Sequence, residues 1–423
     1  MTLLDLPMYL VGNRGAILRI AASRWALVVG ALLVLSGSVA RNYDGAYLAR
    51  EWDVLLHGIA VSSANALVLF SLMYVATRRR GTAEGAGAGG GAPRESAPRF
   101  WSGYLSFLGL FWMSAPMAWL YGVPYERWLP EGGAVQANLV TLGLVSVWRV
   151  ALMARVLSVM FGARIVLTLF VVMVFSDVAV VVGALASPKP LVDFMGGMQH
   201  TAQDAALVGA TMSAIVYGIL SFPVWCIGAV VAAVKLRRNW QVVRAEHERV
   251  PVGLIVVGVL AIMAWVAPMA TTQVEQRNRW ETNALLRAGK IEQGLGAMSA
   301  LGRSAYPPIW DPAPRLGWGE NDPPIEGVAE EILRRPPAEW VCRLYMEKSG
   351  RYLFSYQGRG WEVLDYLVES SLKGVPGGAR GFRSRLLLHL RYDDKLNAEQ
   401  RALIESAVAK LDAKIASEGS GEK

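Results

Sequence analysis

Residues 138–186 read NLVTLGLVSVWRVALMARVLSVMFGARIVLTLFVVMVFSDVAVVVGALA, two apolar segments folded back on each other at Phe161-Gly162-Ala163-Arg164. Between Asn138 and Met160 the only charges are Arg149 and Arg155, and between Ile165 and Ala186 the only charge is Asp177. Each segment is long enough to cross a ~30 Å hydrocarbon core at ~1.5 Å per residue. Arg149 lies fourteen residues before Ala163 and Asp177 fourteen after it. In an antiparallel helical hairpin, equal counts from the turn mean equal depth. A charge near the bilayer centre costs about 2.5–3.5 kcal/mol on insertion scales, so an acid and a base at one depth are expected to relieve each other. A structural ion pair is the first reading of Arg149 and Asp177. The other two are a proton relay or substrate site, and two residues that snorkel separately.

The rest of the chain fits an integral membrane protein. Of 423 residues, 53% are hydrophobic and 18% charged, which a soluble protein of two or three domains would not show. Residues 1–270 hold 20 Lys and Arg against 13 Asp and Glu, whereas residues 271–423 hold 22 against 21. The basic excess therefore belongs to the apolar part and does not signal a nucleic-acid partner. Cys226 falls in an apolar run and Cys342 in the polar tail, so no disulfide framework can be read.

Working outward, the pattern predicts an all-α chain with seven spans at 25–40, 54–77, 101–122, 137–160, 165–186, 212–234 and 252–269. Residues 1–24, with Arg14, Arg19 and Arg24, read as an interfacial segment on the cytoplasmic side. The first span ends Ser38-Val39-Ala40, which also fits a signal-peptidase site. The long leading segment and the spans that follow favour an uncleaved anchor. Residues 81–99 are Gly/Ala-rich and read as a flexible linker. The Gly85-x-Gly87-x-x-Gly90 within it has no strand before it and no helix after it, so it is not read as a nucleotide loop. Pro116 and Pro223 are expected to kink their helices.

With the N-terminus inside, the cytoplasmic segments carry fifteen basic residues: Arg14, Arg19, Arg24, Arg78, Arg79, Arg80, Arg94, Arg99, Arg155, Arg164, Lys235, Arg237, Arg238, Arg244 and Arg249. The other face carries four, Arg41, Arg50, Arg127 and Lys189. That asymmetry orients the bundle and puts residues 271–416 outside the cytoplasm, the chain sitting in a cell inner membrane.

Residues 271–416 read as a small soluble helical domain, and 417–423 as a disordered tail. Glu281–Leu301 looks like an αα-hairpin broken at Gly289-Lys290. The Pro-rich run with Tyr306, Pro307, Pro308 and Trp310 must be extended. It is either a strap over the helices or a docking segment for another envelope protein. Asn397 with Gln400 reads as a capping box, opening a helix whose stripe is Ile404, Val408, Leu411 and Ile415.

No H-E-x-x-H, G-x-S-x-G, Walker A or C-x-x-C motif occurs. Asp193, His200 and Asp204 form a polar cluster on the outer side; a helix would place His200 and Asp204 on one face, as a metal or proton relay requires, and a solvated loop face is the plainer reading. No metal, cofactor or catalytic residue is assigned. The partners expected are the lipid bilayer and, through the exported domain, other envelope proteins.

Gly15-Ala16-Ile17-Leu18-Arg19-Ile20, then Arg41-x-Tyr43-Asp44-Gly45, and Tyr306-Pro307-Pro308-Ile309-Trp310-Asp311-Pro312 resemble a set of uncharacterised bacterial multi-spanning membrane proteins. The membrane half is also similar to Yip1-like membrane proteins, which implies a compact helical bundle with a cytoplasmic N-terminus; no activity and no catalytic residue can be carried over from that resemblance. The function expected is a non-enzymatic scaffold, sensor or assembly factor, with a transporter or channel built on Arg149 and Asp177 as the alternative.

Overall fold

A computed structural model describes residues 1–77, 100–186, 202–235, 240–242, 248–308, 310–314, 322–353, 378–394 and 396–419, together with 364, 368 and 369. Every regular element among them is helical. The described residues of Met1–Ser187 and Gly209–Gln273 form one compact unit, and those of Pro188–Val208 and Val274–Lys423 form another.

The first unit contains α1 (Asp5–Leu10), α2 (Arg14–Ala22), α3 (Ala26–Asn42), α4 (Asp53–Ala76), α5 (Phe100–Met113), a 3₁₀ helix (Ala115–Gly122), α6 (Tyr125–Trp128), α7 (Glu131–Phe161) and α8 (Ile165–Ala186). Most of α9 (Ala202–Lys235) and the N-terminal part of α10 (Val252–Arg287) complete it. Among the described residues five helices are long and apolar enough to cross a membrane: Asp53–Ala76, Gly132–Phe161, Ile165–Gly183, Gly209–Lys235 and Val252–Arg287. A sixth is counted if α2 and α3, which meet at 106°, make one bent span.

Residues 101–122 are not one helix. The α-helix stops at Met113, and Ala115-Pro116 opens the 3₁₀ segment. Pro116 has no N–H to bond back into the preceding turn, and the Phe111 carbonyl at the helix end accepts from both the Ser114 N–H, at 3.3 Å, and Ser114 Oγ, at 2.6 Å. Pro223 in α9 and Pro268 in α10, by contrast, lie inside continuous helices. The turn between α7 and α8 falls where the sequence places it. Gly162 takes a left-handed conformation (φ 61°), and the N–H groups of Gly162 and Ala163 close on the Ser158 carbonyl.

Residues 1–24, expected as an interfacial segment, pack apolar side chains into the core of this unit. Tyr9, Ile17 and Ile20 are fully buried, as the spacing of apolar residues on α2 allows once a helix is there to receive them. Arg19 donates to Asp5 at 2.6 and 2.8 Å, and Asn13 caps α2 by accepting from the Ala16 N–H. Between α3 and α5 small residues allow close approach: a Cβ on Gly30 would lie 2.7 Å from Trp112 Cβ, and one on Gly109 2.8 Å from Ala26 Cβ. Phe70, wholly buried, stands in a ring of Phe100, Phe107, Phe161 and Trp240 at centroid distances of 5.4–6.5 Å, where edge contacts add to burial.

The second unit holds the C-terminal part of α10, α11 (Ile291–Leu301), α12 (Ile325–Arg334), α13 (Glu339–Leu353), α14 (Gly378–Tyr392) and α15 (Ala398–Gly419). It has two hydrophobic cores. One joins Leu295, Met298, Tyr306, Trp310, Val328, Ile332, Val341 and Tyr345. The other joins Leu364, Val368, Phe382 and Leu386 to Ile404, Val408 and Leu411 of α15. The Asn397/Gln400 capping box forms reciprocally, at 3.1 and 2.8 Å. α15 runs on through Gly419, so residues 417–419 are helical where a disordered tail was expected; Ser417 Oγ bonds the Lys414 carbonyl. The linker 81–99 and most of the helix expected at 361–372 lie outside the described residues.

Candidate functional site

Arg149 and Asp177 share a hairpin but not a contact. The seam between α7 and α8 is marked by Thr168 Oγ1, which donates to the Ala154 carbonyl at 2.9 Å. At 100° per residue Arg149 is about 140° around α7 from Ala154, and Asp177 is about 180° around α8 from Thr168. Both side chains therefore leave the seam in different directions. Asp177, 7% exposed, accepts a hydrogen bond from Ser221 Oγ of α9 at 2.9 Å. Elsewhere along the same two helices Phe170 packs on Trp225 at 6.0 Å. As a joint relay the two ionisable residues have no shared geometry.

Arg149 turns instead toward α1, α5 and the 3₁₀ helix. Its guanidinium carbon lies 4.8 Å from the centroid of the Phe111 ring, a cation–π arrangement. Its Nε is buried and has no hydrogen-bond partner. The ionisable side chains that bear on it are the phenols Tyr121 and Tyr9. Tyr9 is committed elsewhere, donating to the Leu110 carbonyl at 2.5 Å. Tyr121 has a second guanidinium, that of Arg41, 5.9 Å over its ring. Neighbouring donors on α7 have been used to dock the N-terminal segment: Trp148 Nε1 bonds the Leu10 carbonyl at 2.9 Å and Arg155 Nε the Gly12 carbonyl at 3.1 Å. The sequence reading missed Tyr9, Phe111 and Tyr121 as neighbours of Arg149, because they come from three other elements and no spacing links them.

The Arg41-x-Tyr43-Asp44-Gly45 stretch forms a joint. Tyr43, 2% exposed, donates to the Gly122 carbonyl at 3.0 Å and stacks obliquely on Trp265 at 5.6 Å. Its own carbonyl accepts from Thr272 Oγ1 and Gln273 Nε2 at 2.9 and 2.8 Å. One residue thus ties the end of α3 to the 3₁₀ helix and to α10.

Asp193 and His200 lie outside the described residues, as does any pairing of His200 with Asp204, which falls on the first turn of α9. The strap residues are turned inward. Tyr306 and Trp310 are 2% and 5% exposed and stack at 4.2 Å. Pro307 is buried, Pro308 exposed, and Arg303 clamps the run by donating to the carbonyls of Tyr306, Pro307 and Pro308. The strap expectation describes this packing, and docking through Tyr306 and Trp310 would require pulling both rings out of the core. Behind them Tyr345 donates to the Ala313 carbonyl at 2.7 Å, and Lys348, fully buried, pairs with Asp311 at 2.8 Å. Burial raises the Cys342 thiol pKa above its ordinary value, with Tyr392 and Arg391 opposing it. Burial also lowers the His389 pKa, with Asp393 opposing it.

Among the described residues no three His, Cys, Asp or Glu side chains are grouped to hold a metal ion. Compared with known proteins, the chain matches no family model, no curated protein and no solved structure.

Proposed function

We propose that the protein is a non-enzymatic scaffold, sensor or assembly factor of the cell envelope, held in the inner membrane by seven spans and presenting its C-terminal helical unit outside the cytoplasm. The observation that carries this reading is the build of that unit: it has two hydrophobic cores of its own, so it can keep a binding face in register without leaning on lipid. The count of seven takes α3, and the α5/3₁₀ segment packed against it, as two spans beside the five long helices. The orientation rests on the fifteen-to-four distribution of Lys and Arg.

Two measurements test it. A reporter active only outside the cytoplasm should be active when fused after Ala270 and silent when fused after Arg80; the reverse pattern overturns the topology. Photo-crosslinking residues placed at the exposed positions Leu403 and Glu405 of α15, in the full chain in native membranes, should trap a recurrent protein adduct. If only lipid or no adduct forms there and on the exposed faces of the other helices of the unit, the scaffold reading fails.

A further inference from the structure

We propose that Arg149 is the anchor of a binding site for a phosphate-bearing anion, with Phe111, Tyr121 and Arg41 as its other parts. The inference goes beyond the scaffold reading and rests on different residues.

A guanidinium inside a candidate span has to be neutralised or hydrogen-bonded, since low dielectric makes an unmet charge costly. Arg149 has neither provision among the described residues: no carboxylate pairs with it, and its buried Nε has no acceptor. Among the described residues it meets the Phe111 ring, 4.8 Å away, and the uncharged phenols of Tyr9 and Tyr121. The Phe111 contact holds the planar group by one face and leaves its edge, which carries the N–H donors, unused. Arg41 repeats the arrangement over Tyr121, also without a carboxylate partner among the described residues. Tyr121 thus lies under the Arg41 guanidinium and within electrostatic reach of Arg149, and its phenol can donate a further hydrogen bond. Other arginines of the same unit are satisfied: Arg19 by Asp5, and Arg155 by the Gly12 carbonyl. The missing complement is an oxyanion. Two positive charges suit a phosphate, whose several acceptor oxygens can take a fork of N–H donors and a hydroxyl together.

The phosphate could be dissolved or carried on a lipid, and one experiment separates the sources. Purified full-length protein in a neutral detergent is melted while inorganic phosphate, phosphatidic acid or phosphatidylcholine is titrated in. We expect a saturable rise in Tm with phosphatidic acid, with inorganic phosphate or with both, and none with phosphatidylcholine. A rise with inorganic phosphate marks a soluble ligand as sufficient, and a rise with phosphatidic acid alone marks a lipid headgroup. Arg149→Gln should abolish the rise, and Arg149→Lys should retain part of it. Arg164→Gln, on the exposed turn, should match wild type. Should Arg149→Gln fail to fold, Arg41→Gln and Tyr121→Phe decide: each is expected to weaken half-saturation about tenfold, the loss of one charge-assisted or hydroxyl contact. No saturable rise in the wild type, an undiminished one in Arg149→Gln, or unchanged half-saturation in both of the other variants overturns the site.

Discussion

The energetics of Arg149 depend on what faces its guanidinium, the Phe111 ring and two phenols, and those of Asp177 on a single serine hydroxyl. Because the two residues share no neighbour, their substitutions should not be coupled. In a double-mutant cycle on the purified protein, Arg149→Leu and Asp177→Leu should add to within about 0.5 kcal/mol. A double mutant restored toward wild type would mean an ion pair after all. His389 allows a second test at this scale. Its pKa is lowered by burial in the folded chain, so below the unfolded value of about 6.5 the unfolded state binds the proton more readily. Its neutral form therefore contributes stability that is present above that pH and lost as pH falls toward the folded pKa. Melting of the full chain between about pH 5 and 8 should show a loss on acidification, and His389→Gln should flatten it. An unchanged profile would remove His389 as the cause.

At the scale of elements, the tightest joint is where α3, the 3₁₀ helix and α10 meet. A Cβ on Gly122 would lie 2.5 Å from Trp265 Cη2 and 2.8 Å from the Ala40 carbonyl oxygen. The ring could swing aside, but the backbone oxygen cannot do so without moving α3. Gly122→Ala should therefore cost about 1–3 kcal/mol, read as a lower Tm. Gly143, on the exposed face of α7 with open space around it, gives the control: Gly143→Ala should be neutral or slightly stabilising. Equal effects at the two positions would show that the joint is not packed as described. The break at Ser114 belongs to the same scale, since it lets residues 100–122 pack as two short pieces where one helix kinked at Pro116 was expected.

For the whole molecule the consequence is two folding units of different character. The second has buried cores at Tyr306/Trp310/Tyr345 and at Phe382/Ile404/Leu411, and its acidic and basic residues nearly cancel. Residues 274–423 expressed alone should be soluble without detergent and give a helical circular dichroism spectrum with a cooperative melt. A fragment that requires detergent, or one dominated by coil, would show that the cores depend on the membrane unit. The prediction bears on the scaffold reading as well, because a domain that presents a face to a partner has to hold its shape unaided.

Local chemistry was legible in the chain before any tertiary contact was known. Apolar run length marked the long helices, Gly162 the turn between α7 and α8, and Asn397 with Gln400 the start of α15, because each depends on residues within a few positions of one another. Direction was not legible. Where Arg149 and Asp177 point is set by the angle at which α7 and α8 meet, and that angle is decided by contacts such as Thr168 with Ala154. The same holds for α1 and α2, whose apolar face could have met lipid but met α5 and α7, and for the Pro-rich strap, whose Tyr306 and Trp310 could have faced a partner but filled a core. In each case the sequence specifies a surface that must be covered, and only the packed chain decides what covers it, since burial is non-directional and is satisfied by whichever neighbour the fold brings near.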